Sequence, residues 1–164
     1  MPIVASDIKY KLSGGASNAD PLLSLGGAIS SVDAAATIFD DVSSAEATAG
    51  DIEYRCVYVK NTHATLTALG TKIWIQTQTP SGDTAVAIAL GGEGLNGTAE
   101  TVANENTAPV GESFTSPSSF AGGLTIGDLA PGAYYPVWVR RTVNAGAAVY
   151  ADSFTLRVQC DTNP

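Results

Sequence analysis

Residues 152–159 have the sequence DSFTLRVQ, in which apolar and polar side chains alternate. Phe154, Leu156 and Val158 fall on one face of an extended segment, and Thr155 and Arg157 fall on the other. This period of two is typical of a β-strand with one buried face. Related patterns predict four further strands, over 53–60 (EYRCVYVK), 71–79 (TKIWIQTQT), 84–90 (TAVAIAL) and 134–143 (YYPVWVRRTV).

The predicted strands are separated by residues that favour turns, such as PSGD at 80–83, NG at 96–97 and PG at 131–132. Many short strands with Gly and Pro between them, and no long amphipathic helix, predict an all-β fold, an antiparallel β-sandwich. The path from Lys60 to Trp74 resembles the B–C region of immunoglobulin-like domains. A jelly-roll topology also fits the pattern, so both kinds of sandwich remain open.

Residues 1–50 differ from the rest of the chain, because they are rich in Ala, Ser, Gly and Asp and show little periodicity. Their apolar residues are an alternating trio and a later patch: Ile8, Tyr10, Leu12, Leu22, Leu23 and Leu25. Residues 32–48 are predicted to form a short helix or a loop. So long a segment without a pattern is unusual inside a compact domain. We therefore expect an extended N-terminal arm over 1–50 and a β-sandwich domain over 51–164.

The net charge of the 164 residues is −8, and only 15% of the residues are charged. An acidic chain of this kind lacks the basic surface that nucleic acids and anionic membranes require, so neither is expected as a partner. The first 15 residues show no basic region followed by an apolar core, and no apolar run approaches the ~20 residues of a membrane span. We expect synthesis in the cytoplasm.

The residues needed for catalysis are scarce, and we expect no enzyme, no cofactor and no metal site. His63 is the single histidine and follows Asn61 in an apparent turn, where a structural role is expected. Asp51 and Glu53 flank the start of a predicted strand, which a solvated strand edge explains. Cys56 is expected to be a small buried side chain. Cys160 follows the last predicted strand, and whether it is free or paired with another subunit stays open.

The tryptophans and one arginine are candidates for binding rather than catalysis. Trp74 and Trp138 could stack on sugars, but large aromatic side chains more often fill a core, and we expect one tryptophan per sheet to do so. Tyrosines could extend such a platform, namely Tyr54, Tyr58, Tyr134, Tyr135 and Tyr150. Arg141 shares a face with Val137 and Val139, so we expect it to pair with a carboxylate in the domain or across a subunit contact.

Three stretches resemble a group of small virion structural proteins of tailed bacteriophages. They are LSGGASNADPLLSLGGAISS (12–31), EYRCVYVKNTHATLTALGTKIWI (53–75) and WVRRTVNAGAAVYADSFTLRV (138–158). The resemblance implies a capsid decoration (cement) protein on the capsid exterior of the virion, made in the host cytoplasm. It implies the major capsid protein and neighbouring copies of the chain as partners, and no catalytic residues.

The residues expected to contact other subunits are Ile8, Tyr10, Leu12, Leu22, Leu23, Leu25 and Arg141. Contacts of the arm would offset the entropy lost when it becomes ordered, and residues 8–12 could add to the sheet edge of a neighbour. Two other functions remain open. One is a structural protein associated with the tail or a fibre, and the other is a carbohydrate-binding β-sandwich module that recognises surface glycans.

Overall fold

Nine β-strands in three antiparallel sheets form most of the regular structure in the computed structural model, which describes residues 2–148 and 152–162. The strands are β1 Ile8–Leu12, β2 Gly26–Gly27, β3 Asp51–Asn61, β4 Ala68–Thr77, β5 Thr84–Leu90, β6 Ala99–Thr101, β7 Leu124–Leu129, β8 Tyr134–Val143 and β9 Thr155–Thr162. Short helical elements are the 3-10 turns Ala5–Asp7 and Pro21–Leu23 and the helix α1, Ser44–Ala49. Within the described residues, no helix is long and apolar enough to span a membrane.

Two larger sheets form the sandwich, one with the strand order β1-β3-β8-β5 and the other with the order β7-β4-β9. The third sheet is the pair β2-β6. This arrangement confirms the predicted all-β sandwich. The predicted ranges 84–90 and 134–143 coincide with β5 and β8. The last strand begins and ends three residues later than predicted, so Cys160 lies inside β9 rather than after it.

The main core lies between the two larger sheets and is built from alternate residues of their strands. Val57 and Val59 of β3 pack in one cluster with Ile73 and Ile75 of β4, and all four are buried. The other strands contribute the inward-facing residues Val86, Ile88, Ile126, Leu129, Val137 and Val139. The alternation seen in the sequence therefore marks the face that each strand turns toward this core.

A second apolar cluster covers the opposite face of the four-stranded sheet. It contains Cys56 and Tyr58 of β3 and Trp138 of β8, together with Ala99 from β6. The Tyr58 hydroxyl donates to the Gly27 carbonyl (2.6 Å) and accepts from the Ala99 N–H (2.8 Å), which ties the small sheet onto the large one. Strands β3 and β8 are thus buried on both faces. Cys56 is a buried free thiol, which confirms its predicted role as a small core residue.

The N-terminal segment differs from the predicted extended arm, because it packs on the sandwich of its own chain. Strand β1 pairs with β3 antiparallel, with Leu12 opposite Val57, and Leu12 is only 1% exposed. Ile38 and Phe39, in the stretch between β1 and α1, belong to the main core. The boundary predicted at residue 50 therefore does not separate two bodies, since one sheet contains strands from both sides of it.

Hydrogen bonds from side chains to the backbone hold this segment, which explains why its sequence shows no period. The Ser13 hydroxyl accepts from the Gly26 N–H (3.1 Å), and the Ser30 hydroxyl donates to the Asn18 carbonyl (2.6 Å). Buried serines take the place of the apolar–polar alternation of a strand, because small polar side chains can form hydrogen bonds with the N–H and C=O groups of an irregular backbone. In the predicted 32–48 range, α1 covers 44–48 and the rest is irregular. Ser43 and Glu46 form the capping box of α1.

Candidate functional site

The leucine turn, Pro21–Leu23, presents apolar side chains to solvent. Leu23 is 60% exposed and Leu22 is 39% exposed. Leu25, which follows the turn, is partly buried against the second apolar cluster. Of this predicted patch, the turn leucines are free to contact another molecule, whereas Leu25 supports the fold of its own chain.

The leucine turn is held in one conformation by polar side chains. The Asp20 carboxylate accepts from the Leu22 N–H (2.9 Å) and caps the 3-10 turn. The Asn18 amide donates to the Ser13 carbonyl (2.6 Å) and to the Asp20 carbonyl (3.0 Å). A rigid loop loses little conformational entropy when it binds, so it presents its two leucines in a form suited to a contact.

A groove lies along the open side of the sandwich between β1 and β9. A cavity of about 460 Å³ there is lined by Ile8 and Tyr10 on one side and by residues 156–160 of β9 on the other, both the apolar Leu156, Val158 and Cys160 and the polar Arg157 and Gln159. A second cavity, of about 300 Å³, also has Tyr10 and Leu156 in its lining. We call this region the β9 groove. The Tyr10 hydroxyl makes no hydrogen bond with the described residues, and burial raises its pKa.

The predicted contact residues of β1 therefore have different surroundings. Ile8 and Tyr10 are partly buried and line the β9 groove. Leu12 is fully buried in its own chain, so its side chain is not free to contact another subunit. Leu12 lies opposite Val57 in the β1–β3 pair, and Val57 belongs to the main core.

Arg141 is part of a charge cluster that also contains Glu53 and Arg55, which are buried, and Asp40 and Glu105, whose side chains are 43% and 38% exposed. The Arg141 Nε donates to the Glu53 carboxylate (2.5 Å), and its Nη1 donates to the Asp40 carbonyl (2.5 Å). The Arg55 Nη2 donates to the Glu105 carboxylate (2.5 Å). Of the two predicted alternatives for Arg141, the structure bears out pairing with a carboxylate in its own domain.

An aromatic ring contacts both arginines of the charge cluster and links the cluster to the core. The Phe39 ring centroid is 4.9 Å from the Arg141 guanidinium carbon and 5.4 Å from that of Arg55. Phe39 also contacts Phe154 edge to face, with 6.3 Å between ring centroids. A cavity of about 320 Å³ opens beside Arg141, Asp40 and Phe39. The charge cluster therefore fixes the irregular 36–42 segment against β8 and β3.

Glu53 is the most buried carboxylate of the charge cluster, at 1% exposed, so the prediction of a solvated strand edge is wrong for this residue. Register explains the burial, because Glu53 lies directly opposite Arg141 in the β3–β8 pair. Burial raises the pKa of Glu53 to about 7, although the charge and hydrogen bond of Arg141 act in the opposite direction.

Carboxylates in this region are close enough together to raise the question of a metal ion. Asp40, Glu53 and Glu105 have oxygens within 4.8 Å of one another, and so do Glu46, Asp51 and Glu53. In the first group the two arginines already supply the positive charge that a metal would bring. In the second, Glu46 already accepts a hydrogen bond at the start of α1. The donor set therefore fits an ion-pair network better than a metal centre.

The single histidine has a structural role in a turn. The His63 Nδ1 accepts from the backbone N–H groups of Thr65 (3.2 Å) and Leu66 (3.0 Å), which shapes the turn between β3 and β4. Asn61 supports the same turn, because its buried amide donates to the carbonyls of Leu66 and Leu129 (2.8 Å each). The sequence marked this stretch as a turn but gave no sign that Asn61 connects it to β7.

The tryptophans proposed as a sugar platform are buried. Trp138 belongs to the second apolar cluster, and Trp74 packs edge to face on Phe120 with 5.8 Å between ring centroids. Both were expected in the sandwich core, but neither lies between the sheets, because the residues flanking them in sequence occupy that side. Tyr54 and Tyr58 are buried as well. Tyr150 lies outside the described residues.

No known protein family, curated protein or solved structure matches the chain. The function of the chain is therefore inferred from its own geometry and from the resemblance of the three stretches quoted above.

Proposed function

We propose that this chain is a structural protein of a tailed-phage virion, which decorates the capsid exterior and stabilises the assembled head. The observation that most directly supports this proposal is the leucine turn, where Leu22 and Leu23 are exposed on a loop fixed by hydrogen bonds. The turn lies within 12–31, one of the stretches that resemble virion proteins. The partners are the major capsid protein and neighbouring copies of the chain.

The energetics of the leucine turn suit a protein that binds in many copies. Burying an exposed leucine side chain contributes about 1.5–3 kcal/mol, and the ordered loop loses little entropy on binding. A contact of two leucines is weak by itself, but each copy that binds only the assembled lattice shifts the equilibrium toward that lattice. Copies that cluster around a symmetry axis add avidity.

The charge of the chain is compatible with a place outside the shell. A net charge of −8 disfavours contact with packaged DNA, whose phosphates attract basic surfaces. On the outside of the head the same charge keeps unbound copies soluble. The tail or a fibre offers a similar environment, so copy number is what distinguishes these locations.

Quantitative mass spectrometry of purified virions of the encoding phage tests this proposal. The measurement is the number of copies of the chain relative to the major capsid protein. One copy per capsid subunit, or a simple fraction of that, supports decoration of the head. A count set by tail symmetry moves the protein to the tail or fibre, and absence from the particle refutes both structural roles.

A binding experiment tests the leucine turn itself. Particles that lack the chain are mixed with purified protein, and the bound fraction is measured by co-sedimentation. We expect Leu23→Asp to abolish binding and Leu23→Met to retain it. Leu95→Asp is the matched control, because Leu95 is 51% exposed in a different loop. Equal binding by Leu23→Asp and Leu95→Asp would show that the leucine turn is not the contact.

A further inference from the structure

Both outer edges of the four-stranded sheet, at β1 and β5, are covered by other segments of the same chain. Outside β1, the Leu12 N–H donates to the Val32 carbonyl (3.1 Å) and the Ala34 N–H donates to the Tyr10 carbonyl (2.8 Å). Outside β5, Ile88 exchanges two backbone hydrogen bonds with Thr115 (2.8 and 2.9 Å). The Gln78 side-chain amide donates to the Val86 carbonyl and accepts from the Val86 N–H, so it satisfies the neighbouring backbone groups of β5. Neither edge is available to another strand.

The edges of the three-stranded sheet are β7 and β9, and these two strands differ in regularity. β7 is irregular, because the pairing of β4 and β7 shifts register twice and Gly127 has φ +89°. β9 is eight residues long and contains neither Gly nor Pro. Its pairing with β4 also shifts register twice, but each time the extra residue is in β4, so β9 itself is continuous. Among the described residues, none forms a backbone hydrogen bond to the outer edge of β9.

A long, regular and uncovered edge strand is a template for pairing with another strand. We propose that β9 pairs with β9 of a second copy of this chain, antiparallel and about a two-fold axis, so that the two three-stranded sheets become one six-stranded sheet. An axis at Gln159 places Arg157 opposite Asp161 of the second copy, and the reverse. Neither residue has an ion-pair partner among the described residues of its own chain. This charge complementarity fixes the register.

The apolar side of β9 supports the same register. Leu156, Val158 and Cys160 are only partly buried, because they line the β9 groove at the open side of the sandwich. Pairing about Gln159 sets Val158 opposite Cys160 of the second copy, so apolar side chains from both copies meet on the face toward the groove. Val4 also lines the groove and is 54% exposed. This inference uses residues other than the leucine turn and does not depend on a capsid location.

Sedimentation equilibrium of the full chain, from about 1 µM to about 1 mM, measures the association. We expect a monomer–dimer equilibrium. Asp161→Arg sets like charges opposite each other and should weaken the dimer at least tenfold, whereas Arg157→Asp combined with Asp161→Arg should restore it. Asp41→Arg is the control, because it makes the same change of charge at an exposed residue outside β9. A chain that stays monomeric over the whole range, or a dimer insensitive to Asp161→Arg, overturns the proposal.

Disulfide trapping in the Cys160→Ser background tests the register independently. Gln159→Cys places a cysteine opposite itself, with Cα atoms about 4.5–5.5 Å apart, which a disulfide can bridge. Thr155→Cys is the matched control, because the two cysteines would be eight residues out of register, about 27 Å along the strands. We expect a cross-linked dimer for Gln159→Cys and none for Thr155→Cys. Equal cross-linking of both variants, or none of either, contradicts pairing about Gln159.

Discussion

Replacing Arg141 with Met tests the role of the charge cluster. The substitution keeps an unbranched apolar stem but removes the guanidinium group that pairs with Glu53, which is 1% exposed. Removing one partner of a buried ion pair typically costs about 3–5 kcal/mol, because the other charge stays buried without compensation. The stability of a domain is about 5–15 kcal/mol, so we expect a large fractional loss and a decrease in Tm of about 10 °C.

The loss caused by Arg141→Met should depend on pH. Glu53 has a raised pKa of about 7 even with Arg141 beside it, and it becomes neutral more readily when that positive charge is gone. At pH 8 Glu53 is charged in the parent protein, and in the variant it must either stay charged without a partner or take up a proton, so the full loss is expected. At pH 5 Glu53 is protonated and needs no counter-charge, so only the lost hydrogen bonds remain, about 1–2 kcal/mol.

Urea unfolding followed by tryptophan fluorescence provides the assay, because Trp74 and Trp138 are both buried. Arg140→Met is the matched control, since Arg140 precedes Arg141 on the same strand but contacts Phe114 (5.2 Å to the ring centroid) instead of a carboxylate. A contact of that kind contributes about 0.5–1 kcal/mol. The reasoning would be refuted if Arg141→Met cost no more than Arg140→Met at pH 8, or lost the same amount at pH 5.

Three further predictions concern stability. Leu12→Ala should destabilise the protein by about 2–5 kcal/mol, because it opens a cavity at a buried site. Leu22→Ala in the exposed turn should change the free energy of unfolding by about 0.5 kcal/mol or less. Equal losses in urea unfolding would contradict the packing of β1. Gly26→Ala should lower Tm markedly, because Gly26 has a φ of +90° and the added Cβ would lie 1.7 Å from the Glu100 carbonyl oxygen. An unchanged melting curve would contradict the backbone conformation at Gly26. The raised pKa of Glu53 means that the folded state holds its proton more tightly, so its contribution to stability is complete below about pH 4 and is lost as pH rises through about 7. Glu53→Gln should remove that part of the pH dependence, and an identical pH–stability curve would contradict it.

The strand pattern could be predicted because it depends on neighbours in sequence. β5 and β8 match their predicted ranges, since alternation and flanking turns mark both ends. β7 was not predicted, although it pairs with β4, because the sequence LTIGDL contains a glycine and little alternation. β6 has three residues, which is too short for any period to be visible. β7 forms because the longer β4 offers it an edge, whereas β6 pairs with the two residues of β2.

The N-terminal segment shows why a weak pattern does not mean an extended arm. Its order comes from contacts far away in sequence, such as the Leu12–Val57 pairing and the packing of Phe39 against Phe154. Buried serines and Asn18 satisfy its backbone, and residues of these types are also typical of solvated loops. Composition alone could not distinguish these two situations.

The sequence by itself determined the all-β class, the positions of the main strands and which side chains share a face of each strand, because side-chain alternation is a local property of extended backbone. It also indicated that Arg141 needs a carboxylate, since a guanidinium group on an apolar face must be paired. Only the tertiary structure decided which carboxylate. The β3–β8 register sets Glu53 opposite Arg141, and an irregular segment brings Asp40 and Phe39 to the same place. The register of strand pairing and the course of irregular segments across the sandwich depend on long-range packing, which no local sequence pattern encodes.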